Sequence, residues 1–359
     1  MKKTLLLFAA AVALVIMMSP KVSAAEFNFA AQAQIPENQL DKGVSYFDIK
    51  LDQGAEQTLH VDLRNDTEKE VAVDVEISST TTNINGVVEY SPNEIKPAKS
   101  LKFNMKDYVK APDTVKIPAK SATTLDLKAA MPNEKFDGVM AGGITLKEHQ
   151  DTNDQANSSN QKGVSIKNQF SYVIGLVMQQ NTNPVAPNVK LVDVKPTQIN
   201  YRNVILAPLE NDAATFINKV AVDAKISKKG SDKAIYTTSK DGLQMAPDAT
   251  FDFPISLEGQ ELKPGEYVAE LEVYGNQNEN GTITRKSSKG EQKFANHWTL
   301  TKEFTVKKKT ADHLNKKDVS LKKENHWWVY VLIALLILLI TVVAVLIFVV
   351  LKKKAEEKR

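Results

Sequence analysis

Along most of this chain apolar side chains recur at every second residue, a period suited to strands with one buried and one wet face. Leu59, Val61 and Leu63 alternate with His60, Asp62 and Arg64; Val71, Val73, Val75 and Ile77 alternate with Ala72, Asp74 and Glu76; Leu125 and Leu127 alternate with Thr124, Asp126 and Lys128. Similar runs at 47–51, 87–90, 114–117, 139–146 and 171–178 bring the count to about eight strands, the density of an immunoglobulin-like sandwich. The Pro184 and Pro187 stretch interrupts the pattern. A second set of strands then follows at 189–194, 204–209, 220–226, 234–238, 251–257, 267–274 and 298–306, with Phe251, Phe253, Ile255 and Leu257 on one face. Polar runs at 151–163 and at 276–293 read as long loops. No heptad repeat or long amphipathic helix competes, so the expected fold is all-β, two tandem immunoglobulin-like β-sandwich domains.

Both ends carry membrane signals. Lys2 and Lys3, an apolar run at 5–18 and the small residues Ser23, Ala24 and Ala25 have the layout of a secretory signal peptide over residues 1–25. Residues 327–351 contain no charge. As a helix, 329–351 would be about 34 Å long, enough for a hydrocarbon core of about 30 Å. Trp327, Trp328 and Tyr330 would sit at one interface, and Lys352, Lys353, Lys354, Lys358 and Arg359 would form a cytoplasmic tail. The expected order is signal peptide 1–25, first sandwich 26–183, second sandwich 184–306, lysine-rich flexible tether 307–326, transmembrane helix 327–351 and tail 352–359. With a cleaved leader this is a single-pass type I topology in the cell membrane, the large domain outside.

The formal net charge of +3 follows from those ends. Residues 26–306 hold 31 basic and 38 acidic residues, a net charge of −7, which excludes the basic footprint of a nucleic-acid binder. The lysines of the tether read as solvated charge, or as a patch drawn to anionic lipid or to phosphate-bearing wall polymers. An exported domain with no cysteine must rest on its apolar core, a habit of Gram-positive bacteria.

Little in the chain points to catalysis. Without cysteine, a G-x-S-x-G elbow or an S-x-x-K motif, the usual nucleophiles are missing. The five histidines lie on wet strand positions, in loops or in the tether and form no H-E-x-x-H. Asp151, Asn153 and Asp154 begin like a calcium loop, but Ala156 and Lys162 stand where Gly and Glu are needed. No catalytic residue, metal site or cofactor is expected. A pair of glycosidase carboxylates is defined by distance in space and stays open at this level.

Two segments stand out. The polar connection at 80–86 leads to Val87, Val88, Glu89 and Tyr90, and the run at 136–143 packs Gly138, Gly142 and Gly143 into a strand. Glycine within a strand marks either a bulge for curvature or a place where another backbone or a ligand comes close.

These segments, with Tyr46-Phe47-Asp48-Ile49, Ile117-Pro118-Ala119 and Met131-Pro132, resemble the first domain of the WxL-interacting proteins. Met245-Ala246-Pro247, Phe251-Asp252-Phe253-Pro254, Leu262-Lys263-Pro264-Gly265-Glu266-Tyr267 and Trp298 are similar to that family's second domain. The resemblance implies a surface protein whose first domain binds peptidoglycan, whose second binds host proteins such as those of the extracellular matrix, and which joins WxL-domain proteins in a complex. Trp298-Thr299-Leu300 is a lone copy of the tripeptide and reads as core packing, which puts the chain on the interacting side. The expected function is a membrane-anchored, non-enzymatic adaptor; a stand-alone adhesin and a wall hydrolase are the alternatives. Expected contact positions are Thr82, Asn83, Asn85 and Tyr90 in one segment and Phe136, Asp137, Met140, Gly142 and Gly143 in the other.

Overall fold

The computed structural model describes residues 27–150, 170–321 and 327–356. The expected signal peptide, the polar loop at 151–163 and the end of the tail lie outside the described residues.

The first sandwich is built from β1 (Ala30–Gln34), β2 (Phe47–Lys50), β3 (Glu56–Asn65), β4 (Val71–Ser79), a small ribbon of β5 (Thr81–Thr82) and β6 (Val88–Glu89), a one-turn helix α1 (Met105–Tyr108), β7 (Val109–Lys110), β8 (Thr114–Ile117), β9 (Ser121–Ala130), β10 (Met140–Glu148) and β11 (Ser171–Gln179). One sheet has the order β1-β3-β9-β7 and the other β2-β11-β10-β4-β8. The period-two residues do what their spacing predicts: Leu59, Val61, Leu63, Leu125 and Leu127 face Val71, Val73, Ile144, Leu146, Leu176 and Met178 across one core. Strand β2 joins β11 in parallel, with Phe47 opposite Leu176. Asn65 is fully buried at the turn after β3 and donates to the carbonyls of Lys69, Ile117 and Pro118. These bonds, with the Thr67 amide donating to its Oδ1 (2.8 Å), hold the turn closed.

The second sandwich comprises β12 (Val189–Leu191), β13 (Lys195–Ile199), β14 (Arg202–Asn211), β15 (Ile217–Lys228), β16 (Ala234–Met245), β17 (Ala249–Ser256), β18 (Gly265–Gln277), β19 (Ile283–Ser287) and β20 (Gly290–Val306). Strand β14 pairs with β17 along one side and with β13 and then β12 along the other. The opposing sheet runs β16-β15-β18-β20-β19. Phe251, Phe253 and Ile255 fill the core, with Trp298 and Leu300 packed against it, so the lone Trp-x-Leu is indeed core packing.

Two expectations need correction. The polar run at 276–293 is largely strand, because β19 and β20 form a hairpin whose Arg285 is 3% exposed. Its guanidinium binds the Asp223 carboxylate through Nε (2.7 Å) and Asp241 through a terminal nitrogen (2.5 Å), and lies over the Tyr274 ring. That interaction ties a polar hairpin to the sheet without an apolar signal in the sequence. The flexible tether expected from residue 307 opens instead with helix α2 (Lys308–Lys317), packed on the second core through buried Ala311 and through Leu314. Asn315 exchanges hydrogen bonds with Leu262 and accepts one from the Asn203 side chain, and buried Asp318 accepts from the Asn203 backbone amide (2.7 Å). Burial pushes the Asp318 carboxyl up, but hydrogen bonds from Ser320, Asn203 and Leu321 outweigh it and hold the group below the usual carboxylate range. Finally α3 (Trp327–Glu356) contains an apolar stretch, Tyr330–Val349, with mean hydropathy 3.5, long and apolar enough to cross a membrane.

Candidate functional site at the junction of the two sandwiches

The β5-β6 ribbon projects from the first sandwich and is shaped by one side chain. Asn83 accepts from the amides of Asn85 (2.9 Å) and Val87 (3.2 Å), and its amide group donates to Glu89 (2.7 Å), a local turn of the kind Asn favours. The turn delivers Gly86 at φ +72° against Leu243 of β16; a Cβ there would lie 2.8 Å from that leucine's side chain. The Gly86 carbonyl accepts from the Gln244 amide (2.7 Å), and buried Thr82 accepts from the Ala246 amide through Oγ1 (2.9 Å). Val88, Ala246 and Ala249 form a separate small core, with Tyr90 and Phe216 against it. The ribbon is therefore a tenon set into the second sandwich.

The glycine-rich segment forms the other half of the joint. At Gly138, φ is +89° and a Cβ would sit 2.3 Å from the Ala214 carbonyl oxygen, while the next amide, Val139, donates to that same oxygen (2.9 Å). Phe136 packs on Phe103 (5.1 Å between centroids) and exchanges hydrogen bonds with Gln180 and Asn181. Asp137 is exposed and accepts from Asn183. Met140 belongs to the first core. A Cβ on Gly142 would meet the Ser78 carbonyl at 2.4 Å and Met105 at 2.7 Å, and one on Gly143 the Tyr90 carbonyl at 2.1 Å. The close approach that the glycines signal is thus made by this chain's own backbone. Of the nine residues singled out in the sequence, Asn85 and Asp137 are exposed, Asn83, Tyr90 and Phe136 are half-buried, and the other four are buried.

What the sequence does not reveal is the segment at 91–101, irregular coil laid along the joint. Three clefts flank it. One of about 280 Å³ is bounded by Ser79, Asn93, Lys96 and Asp248. A second of about 620 Å³ is lined by Thr82, Ile84, Glu94, Lys96, Lys99 and Glu210. The third, about 220 Å³, takes in Phe136, Asp137, Met140 and Asp248. Both sandwiches contribute to each, so Lys96, Lys99, Glu210 and Asp248 join the candidate positions through tertiary placement. Asp248, at φ +46°, has its carboxyl pushed up to about 6, first by burial and then by the nearby charges of Asp212 and Glu210. Asp212 answers with a salt bridge to Lys190. Among the described residues no group of three or more His, Cys, Asp or Glu is placed to hold a metal ion.

Two family models match the chain: one described as the peptidoglycan binding domain of a WxL Interacting Protein over residues 29–148, and one as the host binding domain over 161–316. Together they take in most of the sequence. The first ends with β10 and the second begins before β11, although β11 is hydrogen-bonded between β10 and β2 of the first sandwich. Among curated proteins none matches. Solved structures to which the chain is similar include the E. coli chaperone DraB (12% identity, 78% of this chain and 96% of that one, TM-score 0.27) and the YadV chaperone (10%, 78% and 100%, 0.28). A chaperone and tip adhesion subunit complex of Acinetobacter baumannii (13%, 56% and 84%, 0.27) is a third. Such superpositions are too loose to inform the site.

Proposed function

The chain belongs to the WxL Interacting Protein family, and from that premise we propose that it is a non-enzymatic adaptor, anchored by α3, which holds WxL-domain proteins and peptidoglycan together at the cell surface. The family models make the coarser point in plain terms: this is a surface protein with peptidoglycan-binding and host-binding domains. The observation that carries the finer reading is the order of parts, wall-binding sandwich, host-binding sandwich and apolar helix, on one chain. A single pass with residues 26–326 outside sets the two binding domains in the wall of a Gram-positive cell.

We place the wall contact in the junction clefts. A glycan strand with its stem peptides offers apolar sugar faces together with carboxylate and amino groups. The 620 Å³ cleft answers with Ile84, Ile95 and Val192 beside Lys96, Lys99, Glu94, Glu210 and Asp252, the mixture of apolar lining and a few polar groups that ligand sites use. Exposed Asn85, next to the cleft residue Ile84, and exposed Asp137, in the 220 Å³ cleft, add contacts. Gly142 and Gly143 act by letting Ser78 and Tyr90 approach.

The test uses full-length protein in detergent with purified sacculi and a purified WxL-domain protein. Co-sedimentation of all three is expected, with no soluble wall fragments released. Binding to host matrix proteins alone would return the adhesin reading, and fragment release the hydrolase.

A further inference from the structure

The second sandwich has two functionally distinct ends. At one, Ala214, Leu243, Gln244 and Ala246 receive the first sandwich. At the other, Gly265 pairs with Val306 and Lys228 with Tyr267, and the chain passes directly into α2. Strand β18 runs from end to end, and its 13 residues span roughly 40 Å at about 3.3 Å each.

The far end is fastened to whatever α3 is fastened to. Residues through Leu321 are held on the sandwich by Ala311, Asn315 and Asp318. Only the five residues 322–326 then separate Leu321 from Trp327, and even fully extended they cannot bridge more than about 20 Å.

The surface there is also unusual. Tyr201 is 69% exposed and Val319 67% exposed, and the two are adjacent because the Val319 amide donates to the Tyr201 carbonyl (3.0 Å). Tyr201 sits at φ +58°, following Asn200 at φ +49°, in the tight turn between β13 and β14, which projects the ring away from the sheet. Exposed Arg202, Lys316 and Lys317 flank the pair, with Glu258 and Glu261 on the neighbouring turn. A tyrosine ring with a polar tip beside an aliphatic residue suits the water-lipid interface. Lysine and arginine beside it are attracted to anionic headgroups.

Resting on the reading of α3 as a membrane anchor, we propose that this end of the second sandwich is seated on the headgroup layer of the membrane that α3 crosses. Tyr201 and Val319 enter the interface, and Arg202, Lys316 and Lys317 pair with lipid phosphates. The molecule then stands upright, and the peptidoglycan-binding sandwich begins roughly 40 Å from the bilayer, the length of β18.

Because the natural chain has no cysteine, single labels are clean. Full-length Tyr201→Cys, Val319→Cys, Asn85→Cys and Tyr330→Cys, each carrying an environment-sensitive fluorophore, are reconstituted in phosphatidylcholine and phosphatidylglycerol vesicles containing brominated lipid. Expected is quenching of at least about twofold at 201, 319 and 330 and none at 85, as for side chains set into the interface. Adding Lys316→Glu and Lys317→Glu should reduce the quenching at 201. Quenching at 330 alone overturns the seating while leaving the anchor intact. If 330 is itself unquenched, the anchor reading fails and the seating falls with it.

Discussion

Replacing Gly138 with Ala adds one methyl group where two separate costs meet. The backbone is at φ +89°, which a residue with a Cβ adopts at a cost of about 1 kcal/mol. The new carbon would also lie 2.3 Å from the Ala214 carbonyl oxygen, a main-chain atom of β14's outgoing loop that cannot swing aside as a side chain can. Relief requires that the joint open, which sacrifices the 2.9 Å bond from the Val139 amide to the same oxygen, worth about 1 kcal/mol. With a further contribution of about 1 kcal/mol from overpacking, the docked state loses about 3 kcal/mol, a shift of roughly a hundredfold toward undocked sandwiches. Both cores are left untouched, so the loss falls on the joint. Paired spin labels on Lys135→Cys and Lys219→Cys, exposed positions on the two sandwiches, read it as a distance distribution, narrow in the parent and broad in the variant. Gly230→Ala is the control, because Gly230 has φ +79° with nothing within 4 Å of a built Cβ; it carries the backbone cost alone and leaves the distance unchanged. A narrow, unshifted distribution in Gly138→Ala would refute the claim that the glycine is required by contact between the sandwiches.

Other consequences follow from the same geometry. Asp248 has a folded-state pKa raised to about 6, so its stabilising contribution is complete below the unfolded value near 4, and is lost as pH rises through about 6. Asp248→Asn should therefore stabilise the protein at pH 7.5 by about 1–2 kcal/mol, discounted for partial exposure, and do little at pH 4.5, as urea unfolding at the two pH values would report. Arg285→Met leaves Asp223 and Asp241 without their common partner, a loss of about 2–3 kcal/mol in denaturant melts, with binding to sacculi unchanged because none of the three lines a junction cleft. A fragment ending at residue 150 lacks β11 and with it buried Ile174, Leu176 and Met178. It should show no cooperative melt by circular dichroism, whereas one ending at 183 should fold; a folded 27–150 fragment would mean that β11 is dispensable to the first sandwich.

The strands that alternate over several residues were legible because period two leaves a local trace: β3, β4, β9 and β17 each bury every second side chain. Short edge strands left none. Strand β1 offers only alanine and glutamine, β7 is two residues long and β13 contains Pro196, so their pairing depends on neighbours distant in sequence. Helix α2 escaped for a similar reason: its inward face rests on Ala311 and Leu314 amid lysines. For the candidate site, glycine spacing marked the close approaches at Gly138, Gly142 and Gly143. It could not show that the approaching groups are Ala214, Ser78 and Tyr90. Lys96, Lys99 and Asp248 belong to the clefts only through docking of the two sandwiches, which no local pattern encodes.

The central claim is that the junction binds the wall polymer. The most direct measurement is co-sedimentation of the full-length, detergent-solubilised protein with purified sacculi, parent against Lys96→Glu with Lys99→Glu. Both lysines line the 620 Å³ cleft, and reversing them should weaken binding about tenfold by opposing the polymer's carboxylates, with the thermal melt unchanged. Undiminished binding by the charge-reversed protein would contradict the assignment to the junction, and a parent that stays in the supernatant would contradict peptidoglycan binding itself.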